Sequence, residues 1–216
     1  MHGVYVDEEG NNRIIEYNTV INCSRGLHFH WAPSNVIQKN TFYGNRAAQV
    51  MFQGKNAAKT MLVNDALLDN ILFATGAGQN TLYLAIDYEN VRFGQSDRNY
   101  FYHPYAIAHI FVERRPSSGG LLQENMTLDG WRGLSGYDRN SKEFSDLEQM
   151  DGLALAYPRK SRIVYNTTLD VQTIDLPRNQ YCDIQGNLVS GTVVLQPFES
   201  KILIAVDPNL VLPAVP

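Results

Sequence analysis

"GVYVD" at 3–7, "GLHFH" at 26–30 and "QVMFQ" at 49–53 stand 23 residues apart, each with apolar side chains at alternate positions. Val4, Leu27 and Val50 form one column; Val6, Phe29 and Phe52 form a second. Between them, "RIIEYNTVIN" (13–22) and "NVIQKNTFYGN" (35–45) also align. Ile15 matches Ile37, Asn18 matches Asn40 and Val20 matches Phe42 at an offset of 22, and Asn22 matches Asn45 at 23. Looser copies follow. "LLDNILF" (67–73) places Asn70 under Asn40 at an offset of 30, and "SDRNYFY" (96–102) places Asn99 at 29, with "TLYLA" (81–85) as the matching strand. A fixed period in the twenties is the mark of a stacked repeat. Period-two apolar runs broken by Gly, Asn and Ser are strand and turn chemistry.

Thirteen of the 19 asparagines fall in the first 100 residues, so they belong to the repeat rather than to a tail. Asn tolerates the left-handed backbone of tight turns, and its amide can bond to the next copy of itself. The competing arrangement, a meander of antiparallel strands, gives no reason for Asn and apolar columns to recur at a near-constant offset.

"GLHFHWAPSNVIQKNTFYGN" resembles a coil of the right-handed parallel β-helix proteins of the pectate-lyase-like superfold. "MTLDGWRGLSGYDRNS" (126–141) is similar to a segment following the coils in secreted bacterial members. Residues 162–204 resemble their carboxy-terminal β module. The resemblance implies an all-β fold: a right-handed parallel β-helix of about 4–5 coils over 1–112, then a small antiparallel β module. It implies an extracellular or periplasmic protein that binds or cleaves polysaccharide. Lyases, glycoside hydrolases, epimerases, adhesins and tailspikes share that superfold, so a non-catalytic structural or glycan-binding module is the alternative.

"ERRPSSGG" (113–120) is a Pro/Gly/Ser break opening a linker over 113–160. Within it, Thr127 is placed to cap a short helix carrying Leu128, Trp131 and Leu134. Trp131 is expected to plug an apolar end or side, with sugar stacking as the alternative. "RIVYN", "VQTIDL", "QYCDI", "GTVVLQ" and "KILIAV" read as short antiparallel strands over 161–206, with a turn at "DIQGN". The proline-rich 207–216 reads as a poorly ordered tail.

Charge narrows the partners. The net charge is −4 with no basic block, so nucleic acid is not expected. No stretch approaches the ~20 apolar residues of a membrane span, and no membrane partner is expected. "HGVYVDEEG" after Met1 is not a signal peptide. Cys23 and Cys182 imply no disulfide framework. The first strand begins inside the repeat without a visible cap. The chain therefore reads as the carboxy-terminal portion of a longer protein, or as one that associates through its open amino-terminal coil.

On a strand, Leu27, Phe29 and Trp31 point to the core, leaving His28 and His30 outward. Neighbouring strands then place Tyr5 and Met51 beside His28, and Asp7 and Gln53 beside His30. Asp7, His28 and His30 are the candidate catalytic residues, since a carboxylate beside an imidazole tunes its pKa and tautomer. Tyr5, Gln53, Tyr83, Asp87, Glu89 and Arg92 are the candidate substrate-binding residues. A solvated polar face remains the plain reading. A metal held by His28, His30 and Asp7 is a weak match, and no metal or other cofactor is expected. No calcium loop, Gly-x-Ser-x-Gly or phosphate loop is present.

Overall fold

The computed structural model describes residues 1–8, 10–54, 62–144 and 160–207. The expected tail beyond 207 lies outside them, as does 145–159 of the expected linker. The chain forms two compact units, Met1–Glu148 and Gln149–Pro216.

In the first unit the strands are β1 (His2–Val6), β2 (Ile14–Glu16), β3 (Thr19–Ile21), β4 (Arg25–His30), β5 (Val36–Gln38), β6 (Thr41–Tyr43) and β7 (Ala48–Gly54). β8 (Asp65–Leu68), β9 (Ile71–Phe73), β10 (Asn80–Ile86), β11 (Gly94–Asp97), β12 (Tyr100–Tyr102), β13 (Ile110–Arg114) and β14 (Leu122–Met126) follow. Helix α1 (Leu128–Ser135) and β15 (Lys142–Phe144) are the last elements among its described residues. The sheets run β1-β4-β7-β10-β13-β14, β11-β8-β5-β2 and β15-β12-β9-β6-β3.

These sheets correct the expectation of a right-handed parallel β-helix. The strands are divided among several separate sheets, parallel and antiparallel, instead of forming one helical solenoid. Local chemistry explains the division. Tyr17, Lys39, Asp69 and Arg98 each adopt φ near +56°, one residue before Asn18, Asn40, Asn70 and Asn99. That left-handed residue bends the chain and sends the next strand into another sheet. Four non-glycine residues there carry a cost of roughly 1–2 kcal/mol each, which the neighbouring asparagines offset. Asn40 Nδ2 donates to Ile15 O, Gln38 O and Asn70 Oδ1, and its Oδ1 accepts from Asn18 N and Nδ2. Asn70 repeats this toward Asn99. The row ends where Asn99 Nδ2 donates to Asp138 Oδ1 and Asn99 N to Ser141 Oγ. Elsewhere the chain reverses: the 115–121 connection, with Gly119 N bonded to Pro116 O, is too short for a parallel crossover. β14 therefore pairs antiparallel with β13.

The repeat columns appear as pairing register. Val4, Leu27, Val50 and Leu82 align across parallel strands, as do Val6, Phe29, Phe52 and Leu84. Leu27, Phe29, Val50 and Phe52 are fully buried in one core with Ile37 and Leu67 of the second sheet and Phe42, Leu72 and Phe101 of the third. Trp131 joins that core and donates its indole N–H to Asp138 Oδ2 at 2.8 Å, so it offers no face to a sugar. Thr127 caps α1 by accepting from Gly130 N.

The second unit has β16 (Ser161–Tyr165), β17 (Gln172–Cys182), β18 (Leu188–Leu195) and β19 (Ser200–Ala205), antiparallel in the order β16-β19-β17-β18. "VQTIDL" and "QYCDI" belong to one strand, with an irregularity between Leu176 and Tyr181. Asp183 closes the "DIQGN" turn by accepting from Gln185 N and Asn187 N. Cys23 and Cys182 are both free thiols.

Candidate functional site

The core-facing columns leave Tyr5, His28, Met51, Tyr83 and Phe111 in register on the opposite face of the six-stranded sheet. His30, Gln53, Ala85 and Glu113 form the row beside it. The face is an aromatic strip with a polar margin.

At its β1–β4 end, three polar atoms meet. Tyr5 Oη donates to Asp7 Oδ1 at 3.0 Å and lies 3.1 Å from His30 Nδ1. His30 Nδ1 lies 3.0 Å from Asp7 Oδ1. The His30 contact, followed by the backbone N–H of Glu8, holds the Asp7 carboxyl below its ordinary range. Glu8 adds a second exposed carboxylate, and the ligand atoms of Asp7, Glu8 and His30 all lie within 4.8 Å of one another. Among the described residues, these three form the group whose ligand atoms lie close enough to hold a metal ion.

His28 occupies the outward face as expected, yet it is only 6% exposed. The rings of His2, Tyr5 and His30 lie 4.9, 5.1 and 5.7 Å away and cover it. Burial lowers its pKa to about 4, so the ring is neutral. Its Nε2–H donates to Gln53 Oε1 at 3.1 Å, leaving the Nδ1 lone pair buried without a partner. His2 Nδ1 is likewise buried and unpartnered, and its pKa is lowered by burial and by Arg25.

Two assignments change. Trp31 does not continue the inward row of Leu27 and Phe29: its φ of +56° takes it off the strand, and its ring stacks on His30 at 4.1 Å. Asp87, Glu89 and Arg92 are not brought to this cluster. Asp87 follows β10 and is exposed, Glu89 accepts from Ser117 Oγ, and Arg92 donates to Ser135 O at 3.0 Å. Arg92 instead lines a pocket of about 410 Å3 with Phe93, Tyr137 and Arg139. Tyr83 stays on the aromatic strip.

Strict alternation misses His2, because it shares parity with Val4. Glycine resets the parity. A Cβ on Gly3 would stand 2.2 Å from Val20 Cγ1 and 2.7 Å from Gly26 O, so this position faces the core and His2 turns outward. Gly26 does the same for Arg25, with Gln49 O at 2.4 Å. The stacked glycines were the available signal.

A second histidine cluster lies within the same unit, at the β10, β13 and β15 end. His109 Nδ1 meets Thr81 Oγ1 at 2.7 Å, and its Nε2 meets Glu143 Oε1 at 2.5 Å. His103 stacks on His109 at 5.6 Å, accepts at Nδ1 from Tyr105 N and Ala106 N, and contacts Gln79 O through Nε2. Burial and the neighbouring His109 lower the His103 pKa to about 4. Thr81, His103 and His109 are buried.

No family profile, curated protein or solved structure matches the chain.

Proposed function

We propose that the outer face of the six-stranded sheet binds carbohydrate without cleaving it. One observation carries this reading: Tyr5, His28, Tyr83 and Phe111 stand in one register row, beside a margin of Asp7, His30, Gln53 and Glu113. Sugar rings combine an apolar face with equatorial hydroxyls, and the part-exposed rings of Tyr5, Tyr83 and Phe111, edged by polar side chains, complement both.

The carboxylates argue against hydrolysis. Asp7 is held ionised and has no proton to donate. Asp7 and Glu8 also follow one another in the chain, so they do not flank a substrate from two elements.

Affinity electrophoresis against neutral and uronate polysaccharides tests the proposal. Retardation by at least one polymer is expected, with roughly tenfold weaker affinity for Tyr83→Ala and no new reducing ends or unsaturated products. Absence of retardation by every polymer sinks the binding reading. Product formation abolished by His30→Ala replaces it with an enzymatic one.

A further inference from the structure

The geometry points to a divalent transition-metal site of the Zn2+ class formed by His30 Nδ1, Asp7 and Glu8, with Tyr5 Oη beside them. The first argument is spacing. Ligand atoms bonded to one ion at 2.0–2.2 Å, at tetrahedral or octahedral angles, stand about 2.8–3.6 Å apart. His30 Nδ1 and Asp7 Oδ1 are already 3.0 Å apart, and Tyr5 Oη is 3.0 and 3.1 Å from the two. The Glu8 ligand atom lies within 4.8 Å of the other two ligands, and its side chain is exposed and able to swing in.

The second argument is a proton count. Three heavy atoms make three close contacts, but only the Tyr5 hydroxyl hydrogen and one Nδ1 hydrogen of His30 are available between them. Asp7 Oδ1 is itself the acceptor of the Tyr5 hydroxyl. Whichever tautomer His30 adopts, the hydrogens do not serve all three edges. A cation against this triangle satisfies the three lone pairs together.

The donor set selects the ion. One imidazole and two carboxylates suit Zn2+, Co2+ or Ni2+, whereas Ca2+ and Mg2+ favour all-oxygen shells. The site is preorganised on the histidine side. The His30 ring is stacked on Trp31, and β4 pairs with β1, which fixes His30 beside Asp7.

Titration calorimetry of the full chain with Zn2+, paralleled by Co2+ absorption, tests the site without any sugar present, so its outcome is independent of the carbohydrate reading. One ion per chain is expected, with a visible Co2+ spectrum carrying nitrogen ligation. His30→Ala and Asp7→Asn should each weaken binding by about 100-fold, and Tyr5→Phe by about 10-fold. Added Zn2+ should raise the melting temperature of the wild type, and a chelator should reverse it. The absence of binding at millimolar Zn2+, binding that survives His30→Ala, or binding lost in His28→Ala but kept in His30→Ala each overturns the assignment.

Discussion

All five histidines fall into two clusters of the first unit, and the clusters differ in how their nitrogens are used. At the β10–β13–β15 end, His103 and His109 have every ring nitrogen in contact with a hydrogen-bonding partner. At the β1–β4 end, His2 and His28 each bury an unpartnered Nδ1, while His30 opens toward solvent beside two carboxylates. Similar residues therefore do different work. Leaving a buried polar group unpaired costs about 1–3 kcal/mol, so the first cluster stabilises the fold and the second carries a cost that the first does not.

The largest expected effect breaks the satisfied cluster. Glu143 sits in the register column of Phe101, an inward position, and its partner His109 is buried. Removing one member of a buried pair strands the other. His109→Ala should cost roughly 3–5 kcal/mol in denaturant melts, while His30→Ala costs below about 1 kcal/mol. Equal losses at the two positions would erase the distinction between the clusters.

A somewhat smaller effect asks whether an unpaired buried atom alone signals function. Asp65 Oδ2 is unpartnered too, but Asp65 occupies an asparagine position in the turns: its Oδ1 accepts from Asn35 N and Nδ2. Burial raises its pKa to about 7. The ordinary value is 3.8, so the folded state holds the proton more tightly. Stability is highest below that value, falls as pH rises through the interval to about 7, and stays low above it. Asp65→Asn should therefore gain roughly 2–4 kcal/mol at pH 8 and close to nothing below pH ~4. A gain independent of pH would show that the carboxylate charge is not the cost.

Which parts of this were legible in the sequence follows from what period-two reading can see. The 22–30-residue offsets predicted the partners of β1, β4 and β7 and the asparagine rows, because register repeats wherever the apolar columns repeat. They also put Tyr5, Asp7, His28 and His30 together. They did not deliver the sheet arrangement. That depends on left-handed residues such as Tyr17, Lys39 and Arg98, which carry no compositional signal for φ > 0. The same limitation misplaced Trp31. His2 was hidden by a parity change at Gly3, and the contact between His109 and Glu143 joins segments 34 residues apart without a repeat to align them. Asp87, Glu89 and Arg92 form a charged cluster in the sequence, but charge density says nothing about direction, and Arg92 turns toward the end of α1.

The smallest expected effect sharpens the comparison at a single atom. His28→Phe keeps a ring against His2, Tyr5 and His30 and removes the buried Nδ1 lone pair. Gln53 is only half-buried and recovers a water in place of Nε2–H. The variant should gain about 1 kcal/mol near neutral pH. It should also lose acid sensitivity. His28 titrates near 4 when folded and near 6.5 when unfolded, so the unfolded chain binds more protons between these values and wild-type stability falls as pH drops through that window. His103 contributes a similar slope and remains in the variant, which leaves the curve shallower instead of flat. If His28 shapes the face that meets a ligand, the stabilised variant should bind carbohydrate more weakly than wild type: stability rises while function falls. Stability and binding that both rise would mean that His28 is packing alone, and the site would then shrink to Tyr5, Asp7, Glu8 and His30.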